Sequence, residues 1–234
     1  MNKPAAIITG ASTGIGKEMA VKLSDQYFIY LISRNIEKLK KTAQLINDKK
    51  NECKIIVSDI SRKDCIKSIS SQVDVDRDVS LVINNAGVGV FNPISSLSVE
   101  DWDMQLNTNL RGSFLVTKIF IDQLKAKKSG TIVFINSVAG LNPYKNSTAY
   151  VASKYGLRGF ASSLREELRE YNIKVLSIFP GAIDTPLWDN MNMDSLREDM
   201  MSASNTADTI IKAIETPNNC VTEELTIRRI SGDF

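Results

Sequence analysis

Seven short apolar runs rich in β-branched residues recur along the chain, separated by longer segments with helical periodicity. Runs that are apolar throughout are typical of parallel strands, which are buried on both faces of their sheet. The alternation therefore predicts βαβ units and an α/β fold, a doubly wound parallel sheet of about seven strands with helices on both faces. The predicted strands are Ala5–Thr9, Tyr27–Ile32, Lys54–Val57, Val79–Ile83, Thr131–Ile135, Lys174–Ile178 and Leu225–Arg228.

The segments between these runs have apolar residues at helical spacing and boundary residues at their ends. Ser98-Val99-Glu100-Asp101 resembles a capping box that opens the fourth helix, and Asn205-Thr206 is the expected cap of the last, which ends before Pro217. The stretch 184–205 is the least regular and is expected to form a loop or lid. The predicted helices are 15–25, 36–49, 62–72, 99–127, 149–171 and 206–216.

Length and charge limit the classes of partner. One hydrophobic core suffices for 234 residues, so we expect a single domain over 1–234. The 29 basic and 27 acidic side chains are spread along the sequence, which argues against nucleic acid or a membrane surface as partner. The first apolar run is too short for a signal peptide, and no stretch reaches the roughly 18–20 residues that cross a bilayer, so we expect a cytoplasmic protein.

The chain contains no histidine, which removes the usual general base of Ser-His-Asp and Cys-His catalysis. Its three cysteines, Cys53, Cys65 and Cys220, are widely spaced, which favours reduced thiols over disulfides or a metal site. We therefore expect no bound metal. Proton chemistry would have to use Tyr, Lys, Asp or Glu.

A glycine-rich turn follows the first predicted strand. The segment Thr9-Gly10-Ala11-Ser12-Thr13-Gly14-Ile15-Gly16 leads into a helix, so its small residues stand where the backbone must turn tightly. Such a turn presents unpaired N–H groups and a helix dipole to a phosphate. A purely structural βα turn also uses glycine, so the segment alone does not decide between the two interpretations.

Tyr150 and Lys154 are four residues apart on a predicted helix and therefore share a face. A free tyrosine, with a pKa of about 10, is a poor base at neutral pH. A nearby ammonium would lower the pKa of the phenol toward the working range. A Y-x-x-x-K pair is common by chance on helices, so it needs support from elsewhere in the chain.

That support comes from further motifs, which appear in the same order as in the classical short-chain dehydrogenase/reductase family. The G-x-x-x-G-x-G spacing of the glycine turn, Asn84-Asn85-Ala86-Gly87 after the fourth strand and Pro180-Gly181-Ala182-Ile183-Asp184-Thr185 after the sixth resemble that family over residues 5 to about 185. The resemblance implies a Rossmann-like fold with a cofactor-binding half at about 1–130, a catalytic and substrate-binding half at about 131–234 and a lid at about 184–205.

The resemblance also implies a dinucleotide site. The glycine turn would bind the pyrophosphate, Asp59 with Ile60 would face the adenine ring, and the segment after the fourth strand would approach the adenosine half. The segment after the sixth strand would hold the nicotinamide carboxamide and the pyrophosphate. The implied cofactor residues are Gly10, Ser12, Thr13, Gly14, Ile15, Gly16, Asp59, Ile60, Asn85, Ala86, Gly87, Tyr150, Lys154, Pro180, Gly181, Ile183 and Thr185.

Cofactor choice is decided at the end of the second strand, where an acidic residue would bind the ribose 2′-hydroxyl of NAD. This chain has Ser33-Arg34 there. A guanidinium pairs with phosphate through two hydrogen bonds and a hydroxyl adds a third, so NADP(H) is the expected cofactor. Many NADP-preferring relatives carry a second basic residue where this chain has Thr13.

The implied catalytic residues are Asn109, Ser137, Tyr150 and Lys154. Tyr150 would exchange a proton with the substrate oxygen, and Ser137, thirteen residues earlier, would hydrogen-bond that oxygen. Lys154 would tune Tyr150 and reach the nicotinamide ribose, and Asn109 would bind a water that extends the proton relay. Among the competitors, Tyr144 and Tyr155 lack a lysine four positions on, and Asn107 lacks the glycine that Asn109 has three residues on, Gly112.

The expected reaction is the NADP(H)-dependent interconversion of a small-molecule carbonyl and an alcohol. The loops 88–97, 138–149 and 185–203 would contact an uncharged, partly apolar substrate through Phe91, Leu141, Tyr144, Leu187, Trp188, Met191 and Met193. Reduction of a 3-oxoacyl thioester is one alternative, and a non-catalytic NADP(H)-binding sensor is another. Family members commonly form homodimers or homotetramers through helices 99–127 and 149–171. Such a face could be formed here by Phe114, Leu115, Phe120, Phe160 and Leu164, but the inner face of a helix offers the same composition.

Overall fold

The computed structural model describes residues 3–189, 194–217 and 219–232. Its strands form a seven-stranded, entirely parallel sheet in the order β3-β2-β1-β4-β5-β6-β7. Helices pack on both faces, so the predicted doubly wound α/β fold is confirmed. The strands are β1 Ala5–Thr9, β2 Phe28–Ser33, β3 Cys53–Val57, β4 Val79–Asn84, β5 Gly130–Ile135, β6 Ile173–Pro180 and β7 Glu224–Ile227.

The helices form two layers, and each layer shares a hydrophobic core with one face of the sheet. Alternate residues of a strand point to opposite faces, so Ile7 joins one core and Ile8 the other. Helices α3, α5 and α6 cover the first face, and α1, α2 and α8 cover the second. The helices are α1 Gly14–Leu23, α2 Ile36–Asp48, α3 Cys65–Ser70, α4 Val99–Gln105, α5 Ser113–Lys127, α6 Thr148–Leu168, α7 Asp194–Arg197 and α8 Ala203–Ile214.

The predicted helix 99–127 is wrong in one respect, because a π-helical segment, Leu106–Gly112, separates α4 from α5. A π-helical turn accommodates an extra residue and shifts the phase of the side chains on either side of it. Asn109 and Gly112 lie in this segment. Ser98 caps α4 as expected, its hydroxyl accepting a hydrogen bond from the Asp101 N–H.

The predicted cap of the last helix is also wrong. Ser202, not Asn205-Thr206, caps α8, because its hydroxyl accepts a hydrogen bond from the Asn205 N–H at 3.0 Å. The helix therefore starts three residues earlier than the predicted 206, at Ala203, and ends at Ile214, before Pro217. Helix α3 is shorter than the predicted 62–72.

The stretch expected as a loop or lid, 184–205, is partly regular. It contains the 3-10 turn Pro186–Trp188, α7 and the start of α8. A short parallel bridge joins Ile183 to Met201, and Arg197 pairs with the carboxylates of Asp184 and Asp189. Met191 and Met193, expected to contact substrate, lie outside the described residues. Movement of this stretch as a lid stays a prediction.

The expected face for self-association is largely wrong. Leu115, Phe120 and Leu164 are buried in the core of the subunit, because they lie on the inward faces of α5 and α6. Phe160 is partly buried against the same core, whereas Phe114 is exposed. Within the part of the chain that the structure describes, no helix is long and apolar enough to span a membrane.

Candidate active site

A crevice of about 840 Å³ opens at the carboxyl ends of the strands. Strands β1 and β4 are neighbours in the sheet, and the chain winds outward from them in opposite directions. Crevices for ligands in open α/β sheets form at this change of direction. The volume lies within the range of about 300–1,000 Å³ typical of small-molecule and cofactor sites.

The glycine turn between β1 and α1 forms one wall of the crevice. Gly10 and Gly14 have φ of +65° and +55°, in the left-handed region that favours glycine. A Cβ atom on Gly10 would lie 2.7 Å from Asn85 Nδ2 and 2.8 Å from Ala86 Cα. The turn therefore needs glycine for both its conformation and its packing against the segment after β4.

The first turn of α1 provides backbone N–H groups for an anion. Thr13 precedes the helix in an extended conformation, and its side chain makes no capping hydrogen bond. The N–H groups of the first helical turn have no partner within the helix, and the helix dipole places partial positive charge there. These features fit the pyrophosphate of a dinucleotide.

Thr9 ties the glycine turn to the segment after β4. Its hydroxyl accepts hydrogen bonds from the N–H groups of Asn85 and Ala86, at 3.0 and 3.1 Å. In return, Asn85 Nδ2 donates to the carbonyl oxygens of Thr9 and Gly10, at 3.0 and 3.2 Å. These bonds fix the floor of the crevice where the two central strands end.

Ser12, Ser33, Arg34 and Asp59 form the polar end of the crevice. The Ser12 and Ser33 hydroxyls are 2.9 Å apart and hydrogen-bond each other. The Arg34 side chain is 64% exposed, and its Nη1 lies 4.0 Å from Asp59 Oδ2. An exposed ion pair this long contributes little, so the guanidinium is able to bind an anionic group beside the two hydroxyls.

Ser137 and Tyr150 meet at the other end. Ser137 follows β5, Tyr150 lies in the first turns of α6, and the serine hydroxyl is within hydrogen-bonding reach of the phenol. Burial raises the pKa of Tyr150, and the hydrogen bond from Ser137 offsets only part of that increase. The lowered pKa of Tyr150 expected from the sequence is therefore wrong for this structure, because desolvation by burial is the larger effect and raises it.

Lys154 is buried one helical turn after Tyr150. Its Nζ donates to the Ile135 carbonyl at 3.0 Å and lies 5.6 Å from the centroid of the Tyr150 ring. Asn136 Nδ2 donates to the Lys154 carbonyl at 3.1 Å, so the end of β5 holds this lysine at both its side chain and its backbone. Burial lowers the pKa of Lys154 to about 8.

Asn109 is fully buried and does not line the crevice. Its Oδ1 accepts from the Val88 N–H at 2.8 Å, and its Nδ2 donates to the Val88 carbonyl and the Ser153 hydroxyl, each at 2.9 Å. The side chain thus holds the loop after β4 against α6. The proposed water relay from this residue stays a prediction.

Gln105 supports the site from behind the crevice lining, and it was not predicted from the sequence. It is fully buried, and its Oε1 accepts from the Val90 N–H at 3.0 Å. Together, Gln105 and Asn109 hold the loop that carries Phe91. Two amide residues four positions apart in a predicted helix were the available signal, but only the tertiary contact with the loop distinguishes them from exposed polar residues.

A comparison of the sequence with protein families adds to this geometry. The model of one family, described as short chain dehydrogenase, matches residues 4–196. The chain belongs to the short-chain dehydrogenase family. It is therefore an oxidoreductase of this family.

Relatives of this short-chain dehydrogenase cover almost its full length. An uncharacterized oxidoreductase of Staphylococcus epidermidis is 32% identical and aligns over 98% of this chain and 99% of its own. A sepiapterin reductase of Chlorobaculum tepidum is 32% identical and aligns over 99% and 98%, respectively. Among solved structures, a metagenomic short-chain oxidoreductase in complex with NADP has a TM-score of 0.84 at 30% identity, covering 97% of each chain.

Most of the predicted site residues of this short-chain dehydrogenase line the same crevice. Of the predicted cofactor residues, Gly16 does not line it and instead packs behind the turn, where a Cβ atom would lie 2.5 Å from the Gly10 carbonyl oxygen. Those that line the crevice are Gly10, Ser12, Thr13, Gly14, Ile15, Ser33, Arg34, Asp59, Ile60, Asn85, Ala86, Gly87, Tyr150, Lys154, Pro180, Gly181, Ile183 and Thr185.

The loops expected to contact substrate contribute most of the remaining lining. Phe91, Tyr144, Leu187 and Trp188 line the crevice, whereas Leu141 does not. The competing tyrosine Tyr155 is exposed on α6 and donates its hydroxyl to the Leu141 carbonyl at 2.7 Å. Tyr150 is therefore the helix α6 tyrosine that faces the crevice.

Proposed function

We propose that the protein is an NADP(H)-dependent oxidoreductase that interconverts a carbonyl compound and an alcohol, with Tyr150 as the general acid and base. The observation that carries the proposal is the convergence of the Tyr150 phenol, the Ser137 hydroxyl and the Lys154 ammonium in the crevice that begins at the glycine turn. When bound, the nicotinamide supplies hydride to the carbonyl carbon or accepts it from the alcohol carbon.

In the reductive direction, Tyr150 donates its proton to the substrate oxygen while Ser137 hydrogen-bonds that oxygen and stabilises the developing negative charge. Burial favours the neutral phenol, which is the protonation state that reduction requires. In the oxidative direction the phenolate removes the alcohol proton. The positive charges of Lys154 and of the oxidised nicotinamide stabilise this phenolate.

The polar end of the crevice supports a preference for NADP(H) over NAD(H). Arg34 and the paired hydroxyls of Ser12 and Ser33 provide cationic and hydrogen-bonding groups where the 2′-phosphate would lie. Asp59 lies 4.0 Å from the guanidinium, so it competes little with a phosphate for Arg34. The metagenomic relative whose structure contains NADP is consistent with this choice.

The proposal extends to the setting of the enzyme. We place it in the cytoplasm as a homodimer or homotetramer acting on small carbonyl or alcohol compounds, with 3-oxoacyl thioesters as one candidate class. Sepiapterin belongs among the candidate substrates because the Chlorobaculum relative is a sepiapterin reductase. A non-catalytic NADP(H) sensor would require the cofactor residues alone, and would not require Ser137, Tyr150 and Lys154 to converge.

The proposal is tested by following NADPH oxidation against ketones, aldehydes, quinones and sepiapterin. We expect turnover by the wild type and a loss of at least about 100-fold in kcat for Tyr150→Phe, which removes the proton donor. NADPH binding by the variant, measured by calorimetry, should be unchanged within about threefold, because the phenol is not needed for the phosphate contacts.

Tyr155→Phe is the matched control. It deletes an equivalent hydroxyl from the same helix, but one that bonds the Leu141 carbonyl outside the crevice. We expect its kcat to stay close to that of the wild type. Equal turnover by Tyr150→Phe and the wild type would refute the assigned acid. Tight NADPH binding without turnover of any carbonyl compound would favour the sensor.

A further inference from the structure

Two aromatic rings, Phe91 and Trp188, extend one wall of the crevice outward from Tyr150. The centroid of the Phe91 ring lies 5.2 Å from that of Tyr150, with the planes 55° apart. On its other side Phe91 stacks with Trp188, at 5.9 Å between centroids and 10° between planes. We call these two residues the aromatic wall. It begins at the phenol, where the substrate carbonyl would lie.

The loop that carries Phe91 is held in place before any substrate binds. Gln105 and Asn109 bind the backbone of this loop at Val90 and Val88 through three hydrogen bonds of 2.8–3.0 Å. Gly89 lets the Phe91 ring pack onto the loop, since a Cβ atom there would lie 2.8 Å from Phe91 Cε2. The backbone that carries the ring is therefore fixed, and the ring packs against it.

Trp188 is held by a different segment of the chain, the one that follows β6. Its Nε1 donates to the Ile183 carbonyl at 2.9 Å, which orients the indole. Ile183 is in turn joined to Met201 by the short parallel bridge. Because both rings are positioned by their own subunit, a ligand that contacts them loses little free energy to ordering the protein.

The crevice around the aromatic wall lacks acidic lining residues within the part of the chain that the structure describes. Among the described residues that line the crevice, the carboxylate is that of Asp59, which lies at the polar end beside Arg34. The end of the crevice that contains Ser137 and Tyr150 instead carries apolar side chains and hydroxyls, with Lys145 exposed at its rim. A neutral ring would contact apolar and aromatic surface there, whereas a protonated amine would find no carboxylate among these lining residues.

We propose that Phe91 and Trp188 determine specificity, and that they select compounds whose carbonyl is attached to, or one bond from, a planar neutral aromatic or heteroaromatic ring. This inference rests on the proposed function, since it places the carbonyl at Tyr150. Offset or edge contacts with an aromatic partner favour a planar ring over a saturated ring of equal size by up to about tenfold per ring pair.

The experiment compares two substrates of nearly equal volume, an aryl methyl ketone and the corresponding cyclohexyl methyl ketone. We expect wild-type kcat/KM to favour the aryl ketone by about tenfold or more. Phe91→Leu and Trp188→Leu should each reduce that ratio by about threefold to tenfold, and chiefly through the aryl ketone. General damage to either loop would lower kcat/KM for both ketones and leave their ratio unchanged.

Trp102→Leu is the control for Trp188→Leu, because Trp102 lies on α4 and does not line the crevice. Its ratio should match that of the wild type. An unchanged ratio in both Phe91→Leu and Trp188→Leu, or a wild-type preference for the cyclohexyl ketone, would overturn the assignment of the aromatic wall.

A binding measurement separates failure of this inference from failure of the proposed function. The chain contains two tryptophans, so Trp102→Phe leaves Trp188 as the sole source of indole fluorescence. In this variant combined with Tyr150→Phe and saturated with NADP, the aryl ketone should quench Trp188 more strongly than the cyclohexyl ketone at equal concentration. If the aryl ketone quenches Trp188 fluorescence more strongly but the wild-type enzyme reduces no ketone, the proposed reaction is refuted and the aromatic wall is retained. Turnover with equal quenching by both ketones would refute the wall alone.

Discussion

At the scale of single residues, the buried Lys154 links the stability of the protein to pH. Burial lowers its pKa from 10.5 to about 8, so between these values the unfolded chain binds a proton that the folded chain has released. The free energy of unfolding therefore rises with pH across this window, and the increment is absent below about pH 8. A group needed for chemistry is thus a source of instability at neutral pH.

Lys154→Met should raise the free energy of unfolding at about pH 7 by roughly 1–3 kcal/mol while abolishing turnover. The increase in the free energy of unfolding is smaller than the cost of burying the protonated Lys154, because the substitution also leaves the Ile135 carbonyl without its hydrogen-bond donor. Urea unfolding at about pH 7 and about pH 10 measures the effect, and wild-type stability should approach that of the variant at the higher pH. The same pH dependence in both proteins would contradict the assigned cause.

Arg34→Ala should raise KM for NADPH about tenfold and change KM for NADH little, because the guanidinium binds the phosphate that NADH lacks. The expected change in KM corresponds to a weak hydrogen bond to a charged group, because Arg34 is largely exposed to water. Steady-state kinetics with each cofactor measures it. Arg62→Ala is the control, since Arg62 is similarly exposed, pairs with Asp64 and does not line the crevice. Equal losses for NADPH and NADH would refute the cofactor assignment.

Residues whose role depends on local spacing were predictable from the sequence. The glycine turn and the Tyr150–Lys154 pair are of this kind, because a strand-to-helix turn and one helical turn fix their geometry. The direction of the Tyr150 pKa shift was not, because the phenol's burial depends on distant segments such as the loop that carries Phe91. The hydrogen bond between Ser12 and Ser33 likewise joins two segments that only the sheet brings together.

At the scale of secondary structure, α4 and the π-helical segment act as a support for the loop after β4. Three hydrogen bonds from Gln105 and Asn109 to that loop fix it. A loop without regular structure is usually the more mobile part of a fold. Here buried amides take the place of a sheet or helix in satisfying its backbone.

Gln105→Met keeps the shape of the side chain but leaves the Val90 N–H without its acceptor, so it should lower the free energy of unfolding by about 1–2 kcal/mol. Asn109→Leu removes both partners of the Val88 backbone and should cost roughly 2–5 kcal/mol. Urea unfolding measures both. Gln44→Met, at an exposed site on α2, should change stability by less than about 0.5 kcal/mol. A cost for Gln105→Met as small as that control would contradict its supporting role.

Strand positions were predicted to within about two residues because buried parallel strands are apolar throughout and end at polar or glycine residues. Helix boundaries were harder to predict. The side-chain pattern of 99–127 stays helical through the π-helical segment, and the change shows only in the backbone hydrogen bonds. The sequence did not distinguish Ser202 from Asn205-Thr206 as the cap, because both offer good capping residues. The hydrogen bonds of Met201 with Ala182 and Asp184, in the segment after β6, decide between them.

At the scale of the whole molecule, the sheet order places the end of every motif on one edge. The sequence predicted parallel strands and a doubly wound arrangement, and the family resemblance implied that the motifs meet. Neither the sequence nor the resemblance revealed which helix faces remain exposed. The face expected for self-association included Leu115, Phe120 and Leu164, which the core of the subunit uses instead.

If the proposed oligomer forms through α5 and α6, the exposed residues of those helices should carry the contact. Phe114 and Tyr155 are 43% and 42% exposed there. Phe114→Glu should shift the mass measured by light scattering toward the monomer, because it introduces a charge into an apolar contact. Val75→Glu, also at an exposed apolar residue but away from both helices, should leave the mass unchanged. A wild-type mass equal to that of the monomer, or a Phe114→Glu mass equal to that of an oligomeric wild type, would exclude the interface.

The π-helical segment also sets a limit on changes of length. Loss of one codon within 106–112 would let the helix return to regular α geometry and turn α4 by about 100° relative to α5, which its apolar residues anchor in the core. The Gln105 amide would then point away from Val90, although no crevice residue had been replaced. Homologous chains with the same loop are therefore expected to vary in residue type along this helix far more readily than in residue number.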